Sequence, residues 1–261
     1  MRCSLLFAKL ALLVAGVFLS ASPAAAALIV NGDFSTNGGR GQVDVNTTIA
    51  SWTGGGREGQ FGANVPPVFL FNRTAGNSST GDAFMGTISF WVDPTPTAPT
   101  EWFVALDGSE GWDGSIEQSV SGLTIGTSYT LTFNWAATQQ TGYYGPTSQY
   151  MQVTFGDTTA TTPTVQVASQ SWTGWQSASM SFTASSTQQV LKFLAVGTPS
   201  LPPWMLLSSV DLTTGNPPPP PPPGTVPEPA SMAAWLLIGS CLGGCWGVRK
   251  AQARRRAAQA S

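Results

Sequence analysis

Between residues 28 and 213 the apolar side chains come in short runs, divided by stretches of Gly, Ser, Thr, Asn and Pro. Some runs are continuous, such as Val68-Phe69-Leu70-Phe71, which is a strand of the buried type. Others alternate. In residues 128–135 Tyr129, Leu131, Phe133 and Trp135 fall on one face at period two, and residues 115–120 alternate polar with apolar. The same reading places strands at 28–30, 83–91, 102–106, 149–155, 164–168, 175–182, 189–196 and 204–212. Loops are expected at Gly54-Gly55-Gly56, at 72–81, at 93–100 with its three prolines, and at the acid- and glycine-rich 107–114. No long stretch has apolar residues at period 3.6, so almost no helix is expected between the termini. Many short strands with polar turns predict an all-β fold, an antiparallel β-sandwich of two sheets packed face to face.

The two ends break this pattern. Arg2 and Lys9 flank the start of an apolar stretch at 10–19, followed by Ser20-Ala21-Ser22-Pro23 and four alanines. A positive start, a short apolar run and a small-residue exit predict a secretory signal peptide over 1–26, cut by signal peptidase after Ala26. Residues 230–248 carry no charge and, as a helix, span about 28 Å, close to the ~30 Å of a bilayer core. One C-terminal transmembrane helix is therefore expected there. A buried core helix is the bland alternative, and a segment apolar on all sides fits it poorly. Arg249, Lys250, Arg254, Arg255 and Arg256 follow, so this end stays cytoplasmic by the positive-inside rule. The exported domain then occupies 27–215. A linker at 216–225 contains seven consecutive prolines, whose polyproline II geometry spaces it by roughly 20 Å at ~3.1 Å per residue.

Val226-Pro227-Glu228-Pro229, the apolar span and the basic end, in that order over 226–261, resemble the PEP-CTERM sorting signal of exported bacterial proteins. The resemblance implies an exosortase-type membrane protease as partner, passage through the inner membrane, and processing near the Pro-Glu-Pro element. It further implies delivery to the cell surface or medium of a bacterium that makes exopolysaccharide. A second set of residues carries a second likeness: Asn31-Gly32-Asp33-Phe34, residues 114–120 ahead of 126–133, and the closing residues 206–212. These resemble the galactose-binding-like jelly roll, with Ser208 and Ser209 standing where relatives often carry an acid.

Charge and composition narrow the function. Residues 28–215 hold four cations (Arg40, Arg57, Arg73, Lys192) against twelve carboxylates, a net charge of −8 that repels nucleic acid and anionic lipid. Cys3, Cys241 and Cys245 lie outside this domain, so it has no thiol chemistry and no disulfides. The chain has no histidine, which removes Ser-His-Asp and Cys-His catalysis. Glu101, Asp107, Glu110, Asp113 and Glu117 form the densest acidic cluster. It reads first as solvated turn carboxylates, then as a calcium loop, and last as a catalytic pair of the glycosidase kind. No cofactor is otherwise indicated, save a structural Ca2+ between Asp33 and Asp211, which the jelly-roll likeness would bring together.

Aromatic residues are the remaining platform for a sugar ring. Trp102, Trp112, Tyr143, Tyr144, Trp172, Trp175 and Trp204 lie in or beside polar loops, and core packing is the ordinary role of each. The expected glycan contacts are Tyr143 and Tyr144, between Gly142 and Gly145-Pro146, together with Trp112. The leading expectation is a non-enzymatic surface or matrix protein associated with exopolysaccharide. A carbohydrate-binding module using loop aromatics is the alternative, and a carboxylate-dependent glycan-acting enzyme stands third.

Overall fold

A computed structural model of the protein describes residues 27–56, 65–78, 86–200 and 202–215. The signal peptide, the proline linker, the Pro-Glu-Pro element, the span at 230–248 and the basic cluster all lie outside the described residues. Among the described residues no helix is long and apolar enough to cross a membrane.

Among the described residues twelve strands form two antiparallel sheets. The first sheet has the order β1 (Gly41–Gln42), β3 (Val68–Asn72), β4 (Trp102–Asp107), β12 (Pro203–Thr214), β6 (Ser128–Gln139), β10 (Gln176–Thr183). The second has β2 (Thr53–Gly55), β5 (Ser115–Ser121), β11 (Gln188–Thr198), β7 (Thr147–Phe155), β8 (Thr158–Thr161), with β9 (Val165–Val167) also on β7. From β4 to β7 and again from β10 to β12, successive strands change sheet, the winding of a jelly roll. The only helix among the described residues is one 3-10 turn at Thr95–Thr97.

The alternating strands behave as their pattern predicts. Tyr129, Leu131, Phe133 and Trp135 all enter the core between the sheets, where Phe133 meets Phe193 with ring centroids 5.1 Å apart. The Tyr129 hydroxyl also accepts the Thr124 N–H at 2.9 Å, pinning the β5–β6 turn. In β12 the core residues are Met205, Leu207, Val210 and Leu212. Their spacing of two, three and two requires one extra residue, and a bulge lies between Ser208 and Asp211 with Ser209 at φ +53°. The bulge keeps the apolar side chains inward and aims the Val210 N–H at Gly32 O (2.9 Å).

The continuous runs have a different cause. On the outer face of the first sheet Phe69, Phe71, Phe103, Ala105, Trp204 and Leu206 are buried in a second core. Ile88, Phe90 and Ala98 cover them, with Trp172 and Trp175 at the margin. Phe71 stacks on both Phe90 (5.2 Å) and Phe103 (5.3 Å), while Trp204 meets Phe69 and Phe90 edge-on. Burial of each such side chain stabilises by about 1.5–3 kcal/mol.

Three expectations need correction. Residues 28–30 form bends rather than a strand, because the Gln118 side chain takes the place of a partner strand, bonding Val30 N and O at 2.9 and 2.8 Å. Gly54 and Gly55 belong to β2 rather than a loop, paired with Ile116 and Ser115. In the stretch expected as a strand over 83–91, the described part makes only isolated bridges at Ser89 and Phe90.

Candidate functional site

Strands β4, β6 and β12 meet at one end of the sandwich, and their loops build a cleft. Asp107 ends β4 directly opposite Trp204, near the start of β12. The loop after it is fixed on three sides. Asp107 N donates to Pro67 O (3.0 Å), Gly108 N to Pro203 O (2.7 Å) and Gly197 N to Gly108 O (2.7 Å). The loop closes where Gly114 N reaches Asp107 O at 2.8 Å; a Cβ on Gly114 would stand 2.6 Å from Asp107 N, so only glycine fits.

The facing wall comes from the β6–β7 loop. Gln139 is buried and donates through Nε2 to Gly145 O and Thr147 Oγ1, while its Oε1 accepts the Gln170 N–H. Gln140 Oε1 accepts the indole N–H of Trp204 at 3.2 Å, tying the loop to the second core. The indole N–H of Trp91 donates to Tyr143 O at 2.8 Å, and the ring of Trp91 lies 5.3 Å from that of Tyr144. The backbone is thus held while the Tyr143 and Tyr144 rings stand out, 43% and 62% exposed.

The resulting cleft has a volume of about 260 Å³ and is lined by Asp107, Ser109, Trp112, Gln140, Tyr143, Ser200 and Pro202. Its floor is polar. Asp107 is 1% exposed and Ser109 3%. Asp107 Oδ1 accepts the Ser109 N–H at 2.8 Å, and the Ser109 side chain also lies against the carboxyl, but no other described group bonds Asp107 Oδ2 or Ser109 Oγ. Burial pushes the Asp107 carboxyl up from 3.8 to about 6, against the lowering effect of its bonding to Ser109.

The structure brings Trp112 and Tyr143 to this cleft and sets Tyr144 beside it, paired with Trp91. It does not place Trp204 in a loop: that residue is fully buried in the second core, against which Trp172 and Trp175 pack. The acidic cluster disperses. Glu101 precedes the opposite end of β4 and accepts from Asn72, Glu117 pairs with Lys192 at 3.9 Å on the second sheet, and Glu110 and Asp113 are solvated. Glu101 lies about 20 Å along the strand from Asp107, too far for the ~5–10 Å of a glycosidase pair.

Of this cluster only Asp107 is buried, where the sequence reads an ordinary Asp-Gly turn. Ser109, Gln140 and Trp91 are the site residues that sequence reasoning missed, while Asp107 is read only as one member of the acidic cluster. The one available signal was the apolar strand running straight into Asp107 without a polar boundary.

The other end of the sandwich holds both ends of the domain and a larger, mainly apolar groove of about 780 Å³ along Leu28, Val30, Tyr129 and Leu212. Gly32 and Val210 touch there, as the jelly-roll likeness implies for the segments carrying Asp33 and Asp211. Asp33 Oδ1 accepts from Ser35 N and Oγ, and Asp211 Oδ1 from Leu212 N. Among the described residues no three His, Cys, Asp or Glu converge on a possible metal position.

Residues 98–216, less than half of the chain, match a family described as a protein of unknown function (DUF642). No curated protein matches the sequence. Among solved structures, TmCBM61 in complex with β-1,4-galactotriose is 16% identical, covering 72% of this chain and 99% of that one, with a TM-score of 0.41. A CBM4 structure is 15% identical over 72% of this chain and 99% of that one (TM-score 0.34). The CBM22-1 xylan-binding domain of Xyn10C from Paenibacillus barcinonensis is 11% identical over 63% and 85% (TM-score 0.31). Likeness this distant transfers no ligand from those proteins to this chain.

Proposed function

We propose that this protein is a non-enzymatic carbohydrate-binding protein that holds one end of a glycan in the cleft around Asp107. The observation that carries this reading is the buried pair Asp107 and Ser109, two cleft-lining residues whose Oδ2 and Oγ have no partner beyond each other among the described residues. Each such atom costs about 1–3 kcal/mol when left unpaired. An apolar floor would avoid that cost, and a ligand that brings hydroxyls offsets it. A sugar brings hydroxyls on its rim and an apolar ring face, which suits the polar floor and the aromatic walls Tyr143 and Trp112. The cleft is small and half-open, which favours a terminal residue over the middle of a chain.

Affinity electrophoresis through gels cast with neutral polysaccharides tests the reading. At least one polysaccharide should retard the wild type and not Tyr143→Ala; equal migration of both proteins in every gel would contradict it.

Export and sorting belong to the same proposal and rest on the sequence of the two ends. The signal peptide and the PEP-CTERM-like segment would send the domain through the inner membrane to the surface or the exopolysaccharide matrix. The described chain leaves at Gly215, just past the end of β12, about 36 Å along that strand from Pro203 at the cleft end. Intact mass of the surface or secreted protein should begin at Ala27 and lack the residues after the Pro-Glu-Pro element; the mass of the uncut chain would refute processing.

A further inference from the structure

Building on the glycan reading of this cleft, we infer that it selects uncharged sugars over uronic or sulfated ones, with Asp107 as the selecting residue. Asp107 Oδ1 is committed to the Ser109 N–H, and Oδ2 has no partner beyond Ser109 among the described residues, in a cleft-lining residue 1% exposed. An ionised carboxylate only accepts, so the group it meets must donate. Hydroxyls donate; the carboxylate or sulfate of an anionic sugar does not.

Charge points the same way. None of the described residues that line the cleft is cationic. Among the described cations, Arg40 is spent on the Asn77 carbonyl and side chain, and Lys192 lies beside Glu117. Arg73 follows β3 at the end of the sheet away from Asp107. An anion entering the cleft would face Asp107 with no countercharge from these residues. At about 5 Å and an effective dielectric constant near 20, that repulsion weakens binding by about a hundredfold or more. With the carboxyl titrating near pH 6, it is mainly ionised at pH 7.5, where the discrimination is full.

Ser109 and Gln140 complete the selection. Ser109 Oγ can donate or accept, and Gln140 Oε1 is held by the Trp204 indole, which leaves the Gln140 amide N–H groups as the donors on that wall. The cleft therefore offers an acceptor floor, a donor wall and an aromatic side, a set that reads the hydroxyl pattern of a neutral pyranose.

The test is a printed array of neutral gluco-, galacto-, manno- and xylo-oligosaccharides beside oligogalacturonates and alginate oligomers. It is probed at pH 7.5 with the purified full chain and with its Asp107→Asn and Ser109→Ala variants. Signal is expected on neutral spots alone, with each variant at least tenfold weaker there and both variants melting cooperatively. Asp107→Asn should also narrow the gap between neutral and uronic spots. Wild-type binding to uronates as tight as to any neutral glycan, or Asp107→Asn binding like the wild type, overturns the selectivity and leaves the glycan reading in place. Blank spots throughout overturn that reading and the selectivity with it.

Discussion

Strand β4 and the Pro203–Leu207 half of β12 in the first sheet are apolar on both faces, whereas β7 and β11 of the second alternate almost strictly between buried and accessible residues. The first sheet is packed on two sides, against the second sheet and beneath the 88–98 segment; the second has one face in water. That difference locates the candidate site. Asp107 and Trp204 end the doubly packed strands, so the carboxyl that lines the cleft stands on the most constrained part of the fold. A binding group held this firmly keeps its unpaired oxygen aimed at the cleft instead of relaxing toward solvent. The second sheet presents Glu117, Ser119, Lys192 and Thr154 on an accessible face, where Glu117 lies 3.9 Å from Lys192, Ser119 Oγ accepts from Gln188 Nε2 and Thr154 pairs with Thr159.

The sharpest way to break the comparison is Trp204→Ala. It empties the middle of the second core and removes the indole that holds Gln140, so a loss of about 3–5 kcal/mol is expected in urea unfolding, together with loss of glycan binding. A loss below about 1 kcal/mol would show that the outer face of the first sheet is not a true core.

Asp107→Asn probes the cost of the site itself. A carboxyl raised to about 6 in the folded protein and near 3.8 unfolded holds its proton more tightly when folded. Its contribution is complete below pH ~4 and lost as pH rises through ~6, on the order of 3 kcal/mol in all. The wild type should therefore lose stability between pH 4 and 6.5 relative to Asp107→Asn, and the variant should melt higher at pH 8 while binding less. Parallel melting profiles of the two proteins would place the carboxyl in water.

Smaller effects complete the contrast. Tyr144→Ala removes a ring that is 62% exposed and should leave stability within about 0.5 kcal/mol while weakening retention on a neutral polysaccharide. Val190→Thr, on the solvated face of the second sheet, should change neither stability beyond about 0.5 kcal/mol nor binding. A large loss from Val190→Thr would mean that this face also has a partner.

Much of this architecture is legible in the order of residues. Alternation in 115–120 and 128–135 sets the inward faces, and the continuous runs at 68–71 and 204–207 mark strands buried on both sides. Strand β2 escapes notice because Gly54 and Gly55 have no side chain to show a period. They are needed for closeness: a Cβ would meet Pro66 at 3.0 Å or Ser115 Oγ at 2.8 Å.

The site is half legible. Tyr143 and Tyr144 announce themselves by standing among glycines and proline in a loop. Asp107 does not, since Asp-Gly is turn chemistry locally, and its burial comes from Pro67, Gly197 and Pro203, distant in sequence. Trp91 reads as the end of an apolar run, and only the fold brings its N–H to Tyr143, 52 residues later.

The claim that the loop-end cleft binds sugar is tested most directly by hydrogen–deuterium exchange of the full chain with and without the neutral oligosaccharide that gives the strongest array signal. Slowed exchange confined to residues 107–114 and 140–146 is the predicted result. Protection on the outer face of the second sheet or along the apolar groove at the opposite end, with these two loops unchanged, would contradict it.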